Sequence, residues 1–137
     1  MQTIDITLLI RSALQARAKA YVPYSHMAVG AALLTADGTV YTGCNLENAA
    51  YSTTLCAERV ALAKALSEGV RNFSAIAVAG GPQELADDLP TLFYPCGVCR
   101  QMLSEHCSGD MPVIIAKSCD DYVIRTLGQL LPDSFSL

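Results

Sequence analysis

Two cysteine clusters, forty residues apart, constrain this chain more than any other feature. Cys56-Ala57-Glu58-Arg59 is the first, and Pro95-Cys96-Gly97-Val98-Cys99-Arg100 is the second. Each stands at the start of an expected helix, where unpaired N–H groups and the helix dipole favour negative charge and lower a thiol's pKa. For these thiols to act together, the fold has to return one helix start to the other across a helix, a strand and a loop.

The organisation around them reads in chain order. Ile6, Leu9, Ile10, Ala13, Leu14, Ala18 and Tyr21 follow helical spacing, which predicts a helix over 4–21 ended by Pro23. The apolar run 27–35 predicts a strand buried on both faces. Asp37-Gly38 carries a type I′ turn signal, and 39–43 is the returning strand. A second helix is expected over 55–68, apolar around most of its circumference and so buried. A strand over 74–80, a loop over 81–94 and a third helix over 96–106 follow. Strands over 112–116 and 122–124 and a helical turn through Leu130 complete the order. Strands alternating with helices imply an α/β fold, a three-layer α/β/α sandwich with a central mixed β-sheet.

A chain of 137 residues makes one domain, residues 1–137. Its residues are 52% hydrophobic and 16% charged, below the usual quarter for charge. This apolar surplus points to subunit interfaces; the many alanines are the plainer alternative. A net charge of −4 without a basic run argues against a polynucleotide partner. The amino end, Met1 to Asp5, has no basic leader, and no apolar run approaches membrane-spanning length. The expectation is a cytoplasmic protein without membrane contact, in which six cysteines read as metal or catalytic groups rather than disulfides.

Cys96 and Cys99 have a common zinc-ligand spacing, and Cys56 is a third candidate; three protein ligands leave a position for water. Cys44, Cys107 and Cys119 are possible fourth ligands, each more simply a small core residue. Three thiolates leave Zn²⁺ with net negative charge, which Arg59 and Arg100 are placed to offset, unless they make ordinary surface ion pairs. Glu58 is either a helix-dipole partner or a proton carrier beside metal-activated water. Positions i and i+2 face apart on a helix, so Glu58 is not expected to share the metal with Cys56. On its own, Asn45-Leu46-Glu47-Asn48-Ala49-Ala50-Tyr51 reads as a solvated loop. The order Cys-x-Glu, then Pro-Cys-x-x-Cys, is the pattern of zinc deaminases of cytosine and adenine.

At these residues the chain resembles the small homotetrameric cytidine deaminases. The likeness runs through Tyr21-Val22-Pro23-Tyr24-Ser25-His26, Val29 to Leu33, Gly43 to Ala49, both cysteine clusters with Arg100-Gln101, and Leu130 to Phe135. It implies hydrolysis of cytidine and deoxycytidine to uridine and deoxyuridine with release of ammonia, in pyrimidine salvage. It implies one Zn²⁺ per chain on Cys56, Cys96 and Cys99. Glu58 would protonate N3 and then carry a proton to the leaving amine. The resemblance places Asn45 and Glu47 on the ribose hydroxyl and the Ala57 backbone on the base. It also implies a homotetramer with shared sites, Phe135 stacking in a neighbour's site and Tyr51 lining a shared one.

Two positions depart from the family pattern. Met27 stands where the family usually has Phe packed against substrate, and Tyr94 replaces a small residue. Both bear on substrate choice. The nearest rival is a deaminase of the same fold acting on a blasticidin-type substrate. A structural zinc module for a protein partner would leave Glu58 dispensable and add a fourth cysteine ligand, and a thiol–disulfide oxidoreductase would leave Cys56-Ala57-Glu58 without a role.

Overall fold

Residues 3–137 are described by a computed structural model; Met1 and Gln2, part of the amino-end reading, lie outside them. Helix α1 (Ile6–Ala16) begins at Asp5, whose carboxylate accepts the Leu8 N–H at 3.0 Å. It stops short of the expected 21, giving way to a single 3₁₀ turn, Arg17–Lys19. The physical reason is Arg17, which is turned inward and only 4% exposed. Its Nε donates to Ala28 O at 2.9 Å, Nη1 to Leu85 O at 2.8 Å, and Nη2 to Gly81 O and Pro82 O at 3.1 and 2.9 Å. Ala18 and Tyr21, expected on the buried stripe, are exposed.

The sheet holds β1 (Met27–Thr35), β2 (Val40–Cys44), β3 (Phe73–Pro82), β4 (Pro112–Ser118) and β5 (Asp121–Thr126), in the order β2-β1-β3-β4-β5. Only β3 and β4 run parallel among the described residues. A parallel pair needs a crossover, and α3 (Gly97–His106) supplies it. Past its first residue β1 is buried throughout, because both faces of the sheet are covered. On one face Leu9, Ile10, Ala13 and Leu14 of α1 pack against Ala32, Leu34, Ala77 and Ile114. On the other, Ala57, Ala61, Leu62 and Ala65 of α2 (Ala57–Ser67) and Leu103 of α3 pack against Val29, Leu33, Ile76, Val78 and Ile115. This is the expected three-layer α/β/α sandwich with a mixed sheet.

Other boundaries differ locally. At the hairpin, Gly38 has φ 93° while Asp37 stays at negative φ, which excludes a type I′ turn. Instead Thr35 N donates to Thr39 O at 2.9 Å and Gly38 N to Thr35 O at 3.1 Å. Leu55 is not helical: it exchanges both backbone hydrogen bonds with Leu46, at 2.9 Å each. Helix α2 is covered on one side only, with Ala63 and Lys64 exposed, because an outer-layer helix has one sheet face to pack on. The last elements, β5 and the short α4 (Leu127–Leu130), follow the expected order, and Thr126 and Gln129 cap α4 reciprocally.

Gly43 positions the site. A Cβ there would fall 2.4 Å from Ala57 O and 2.6 Å from Ala61 N, so the first turns of α2 lie directly on β2. The start of α2 therefore sits at the sheet edge where β2 and β3 end and α3 begins.

Candidate active site

Cys56 and Cys96 are the N-cap residues of α2 and α3, both in extended backbone conformation, and neither side chain caps its own helix. Cys99 is buried in the first turn of α3. The three sulfurs converge: Cys56 Sγ lies 3.7 Å from Cys96 Sγ, which lies 3.5 Å from Cys99 Sγ. All three fall within 4.8 Å of one another. A tetrahedral zinc with Zn–S bonds near 2.3 Å separates its sulfurs by roughly 3.8 Å, so the cluster fits that ion. Cys44, Cys107 and Cys119 do not join it among the described residues.

The electrostatics agree. The Cys56 thiol is pulled down to about 5, chiefly by the hydrogen bond shared with Cys99 and with help from Arg59. Cys99 is pushed strongly upward by its interaction with Cys56 and by burial. A cation held between the sulfurs would favour their thiolate forms. Arg59 supplies part of the local charge: Nη2 donates to Thr54 O at 2.9 Å and lies 3.8 Å from Cys56 Sγ, while its buried Nε has no hydrogen-bond partner among the described residues. Arg100 is engaged differently from the expectation. It donates Nε to Pro95 O at 2.7 Å and Nη1 to Leu130 O at 2.8 Å, tying the start of α3 to α4.

A cleft of about 310 Å³ opens beside the sulfurs, lined by Cys56, Ala57, Glu58 and Cys96 together with Asn45 and Glu47. Glu58 is 3% exposed, and burial first, then the Cys56 thiolate, pushes its carboxyl up to about 7. Glu47 is the opposite case. Its Oε1 accepts the N–H groups of Tyr24 and Ser25 at 3.0 and 3.1 Å, and hydrogen bonding to Ser25 holds its carboxyl below the usual range. The turn presenting those amides ends at His26, whose φ of 59° is left-handed. Asn45 is clamped to β1, accepting from Val29 N and donating to Met27 O, each at 2.9 Å. The loop at 45–51 is therefore built into the structure rather than simply solvated.

Met27 and Tyr94 line the cleft, as does Phe93, which sequence reasoning missed. The available signal was the Gly80-Gly81 pair closing β3. Tyr51 is 80% exposed and faces Tyr24 edge-on at 6.4 Å, in an adjoining hollow with Glu47 and Thr54. Phe135 is 69% exposed and lies outside the cleft. A larger hollow of about 480 Å³, around Arg11, Glu84 and Asp87, holds no thiol cluster and no element of this chemistry.

A buried carboxyl beside three convergent sulfurs, in a cleft that Asn45 and Glu47 also line, is a metal-dependent hydrolytic site on an α/β/α scaffold. Residues 4–115 match the family model described as the cytidine and deoxycytidylate deaminase zinc-binding region, and the chain belongs to that family. A cytidine deaminase from Sporosarcina psychrophila is 49% identical over 133 residues, 97% of this chain and 93% of that protein. The crystal structure of a cytidine deaminase from Burkholderia pseudomallei superposes with a TM-score of 0.84 at 45% identity, covering 93% of this chain and 97% of that one. A blasticidin-S deaminase from Bacillus cereus is more distant, 30% identical over 76% of this chain and 74% of its own length.

Proposed function

We propose that this chain is a zinc-dependent cytidine deaminase, hydrolysing cytidine and deoxycytidine to uridine and deoxyuridine with release of ammonia. The observation that carries the reading is the placement of buried Glu58 in one cleft with Cys56, Cys96, Asn45 and Glu47, where the Cys56 and Cys96 sulfurs converge with that of Cys99. Cys56, Cys96 and Cys99 would hold the zinc, which when bound would supply Lewis acidity to activate water near neutral pH. Glu58 does the proton work. With its carboxyl pushed up to about 7, it takes one proton from the attacking water and passes it to N3 as C4 is attacked, then takes the remaining proton from the new C4 hydroxyl and hands it to the amine as the C4–N4 bond breaks and the C4 carbonyl forms. Arg59 offsets thiolate charge through its contact with Cys56. The Ala57 backbone holds the base, and Asn45 and Glu47 hold the ribose hydroxyl. Glu47 retains Oε2 for that bond while Oε1 accepts the Tyr24 and Ser25 amides.

The wider reading is a single catalytic domain working as a homotetramer in cytoplasmic pyrimidine salvage. Tyr21, Tyr24, Tyr51, Val98 and Phe135 are all more than half exposed, an apolar surface suited to neighbouring copies. Phe135 and Tyr51 would then complete sites on adjoining subunits. Among the described residues no helix is long and apolar enough to cross a membrane. The test is turnover of cytidine followed by absorbance, with metal analysis, for the wild type and Glu58→Gln. Both proteins should hold one zinc per chain and only the wild type should turn over. Full activity in the variant removes the proton-carrier role, and active zinc-free protein removes the metal site.

A further inference from the structure

The end of β3 carries two consecutive glycines, and the loop 83–95 straddles them. A Cβ at Gly81 would meet Leu89 Cδ2 at 3.1 Å. A Cβ at Gly80 would meet Phe93 Cγ at 2.6 Å and its Cβ and Cδ2 at 2.9 Å. Successive strand residues face opposite sides, so Leu89 covers one face of the strand end and Phe93 the other. Gly80 pairs directly with Val29, which lines the cleft floor. The Phe93 ring thus occupies the slot left by the missing side chain at Gly80, next to that floor. Phe93 and Tyr94 are the only aromatic residues lining the cleft among the described residues, and β1 contributes Met27 and Val29 instead.

We propose that Phe93, seated on Gly80, is the wall that sets how large a base the cleft admits. The proposal rests on the cytidine reading above. Phe93 stands three residues before Cys96 and lines the same cleft as Cys56, Glu58 and Cys96, where C4 would react and the neighbouring C5 substituent would have to fit. A ring held on bare backbone has little freedom to retreat, because core side chains pack at crystal-like density. It therefore rejects bulk at C5 by steric contact.

The experiment compares kcat/KM for cytidine and 5-bromocytidine in the wild type, Phe93→Ala, Phe93→Leu, Gly80→Ala and the double variant, with zinc content measured for each. Phe93→Ala should raise the 5-bromocytidine to cytidine ratio about 10-fold or more, the size of effect one small group has in an apolar pocket. Phe93→Leu should raise it less. Gly80→Ala should lower it, since the new Cβ displaces the ring from β3 toward the cleft. In the Phe93→Ala background Gly80→Ala should leave the ratio unchanged, the non-additivity expected of residues in contact. If Gly80→Ala does not fold, the two Phe93 variants decide alone. A ratio that stays at the wild-type value in both, with kcat/KM falling equally for the two nucleosides, overturns the wall and leaves Phe93 a packing residue. A zinc-loaded wild type inactive on both nucleosides overturns the proposed function and the wall with it.

Discussion

Glu47 and Glu58 line one cleft and have been given opposite chemistry by their surroundings. Glu47 faces two backbone amides and part of the solvent, and its carboxyl is held below the ordinary range. Glu58 is enclosed beside the sulfurs, and burial holds its carboxyl near 7. The difference lies in the supply of donors. Where N–H groups point at a carboxylate it stays ionised and can anchor a hydroxyl; where apolar atoms enclose it, it takes up a proton and can deliver one. The opposite carboxyl shifts of Glu47 and Glu58 thus follow from their surroundings, and they suit the binding and proton-transfer roles proposed for them.

The contrast can be broken most severely at Glu58. Glu58→Gln should lower kcat by about 10³-fold or more, within the range of general acid–base catalysis. Its KM should change little and its zinc should be retained, as checked by steady-state kinetics and metal analysis. Glu47→Gln should do the reverse: KM for cytidine up by about 10- to 100-fold, as for loss of a charge-assisted hydrogen bond, with kcat changed far less. Equal effects on kcat from both substitutions would erase the division of labour. Asn45→Ala removes two hydrogen bonds to β1. It should lower stability by about 1–3 kcal/mol in urea titrations, and KM should rise with it.

The smallest effect concerns pH. The folded pKa of Glu47 is depressed, so its contribution is in place above the unfolded value, near 4.3, and is lost as pH falls through the lower folded value. KM for cytidine should therefore climb at acid pH in the wild type and show no such limb in Glu47→Gln. Ser25→Ala, which removes the main cause of the depression, should shift the limb to higher pH. An unchanged limb would mean that another group governs it.

The sulfur cluster was legible because metal ligation is written in residue types and short spacings, and the layers because apolar runs and helical stripes have distinct periods. Side chains that act on distant backbone were not. Arg17 sits in an otherwise ordinary helical stretch, and its four acceptors lie on β1, the end of β3 and the loop beyond. No local pattern announces such a partner. The same holds for Arg100, which reaches Leu130 rather than the thiolates it adjoins in sequence. The bonds of Asn45 to β1 depend on sheet register, and the seat of Phe93 depends on which face Gly80 presents. The exposed side of α2 was misjudged because alanine satisfies both a packed face and an open one.

The convergence of Cys56 with Cys96 and Cys99 also has a topological meaning. An ion bridging those sulfurs joins two points forty residues apart in the chain, so it acts as a cross-link as well as a reagent. Closing a loop of that length removes unfolded-chain entropy worth about 4 kcal/mol, on the scale used for disulfides. A domain of this size has a net stability of only about 5–15 kcal/mol. The group that performs the chemistry is then also a fastener, and a chelator strong enough to silence the enzyme would loosen the attachment of α2 to α3 as well.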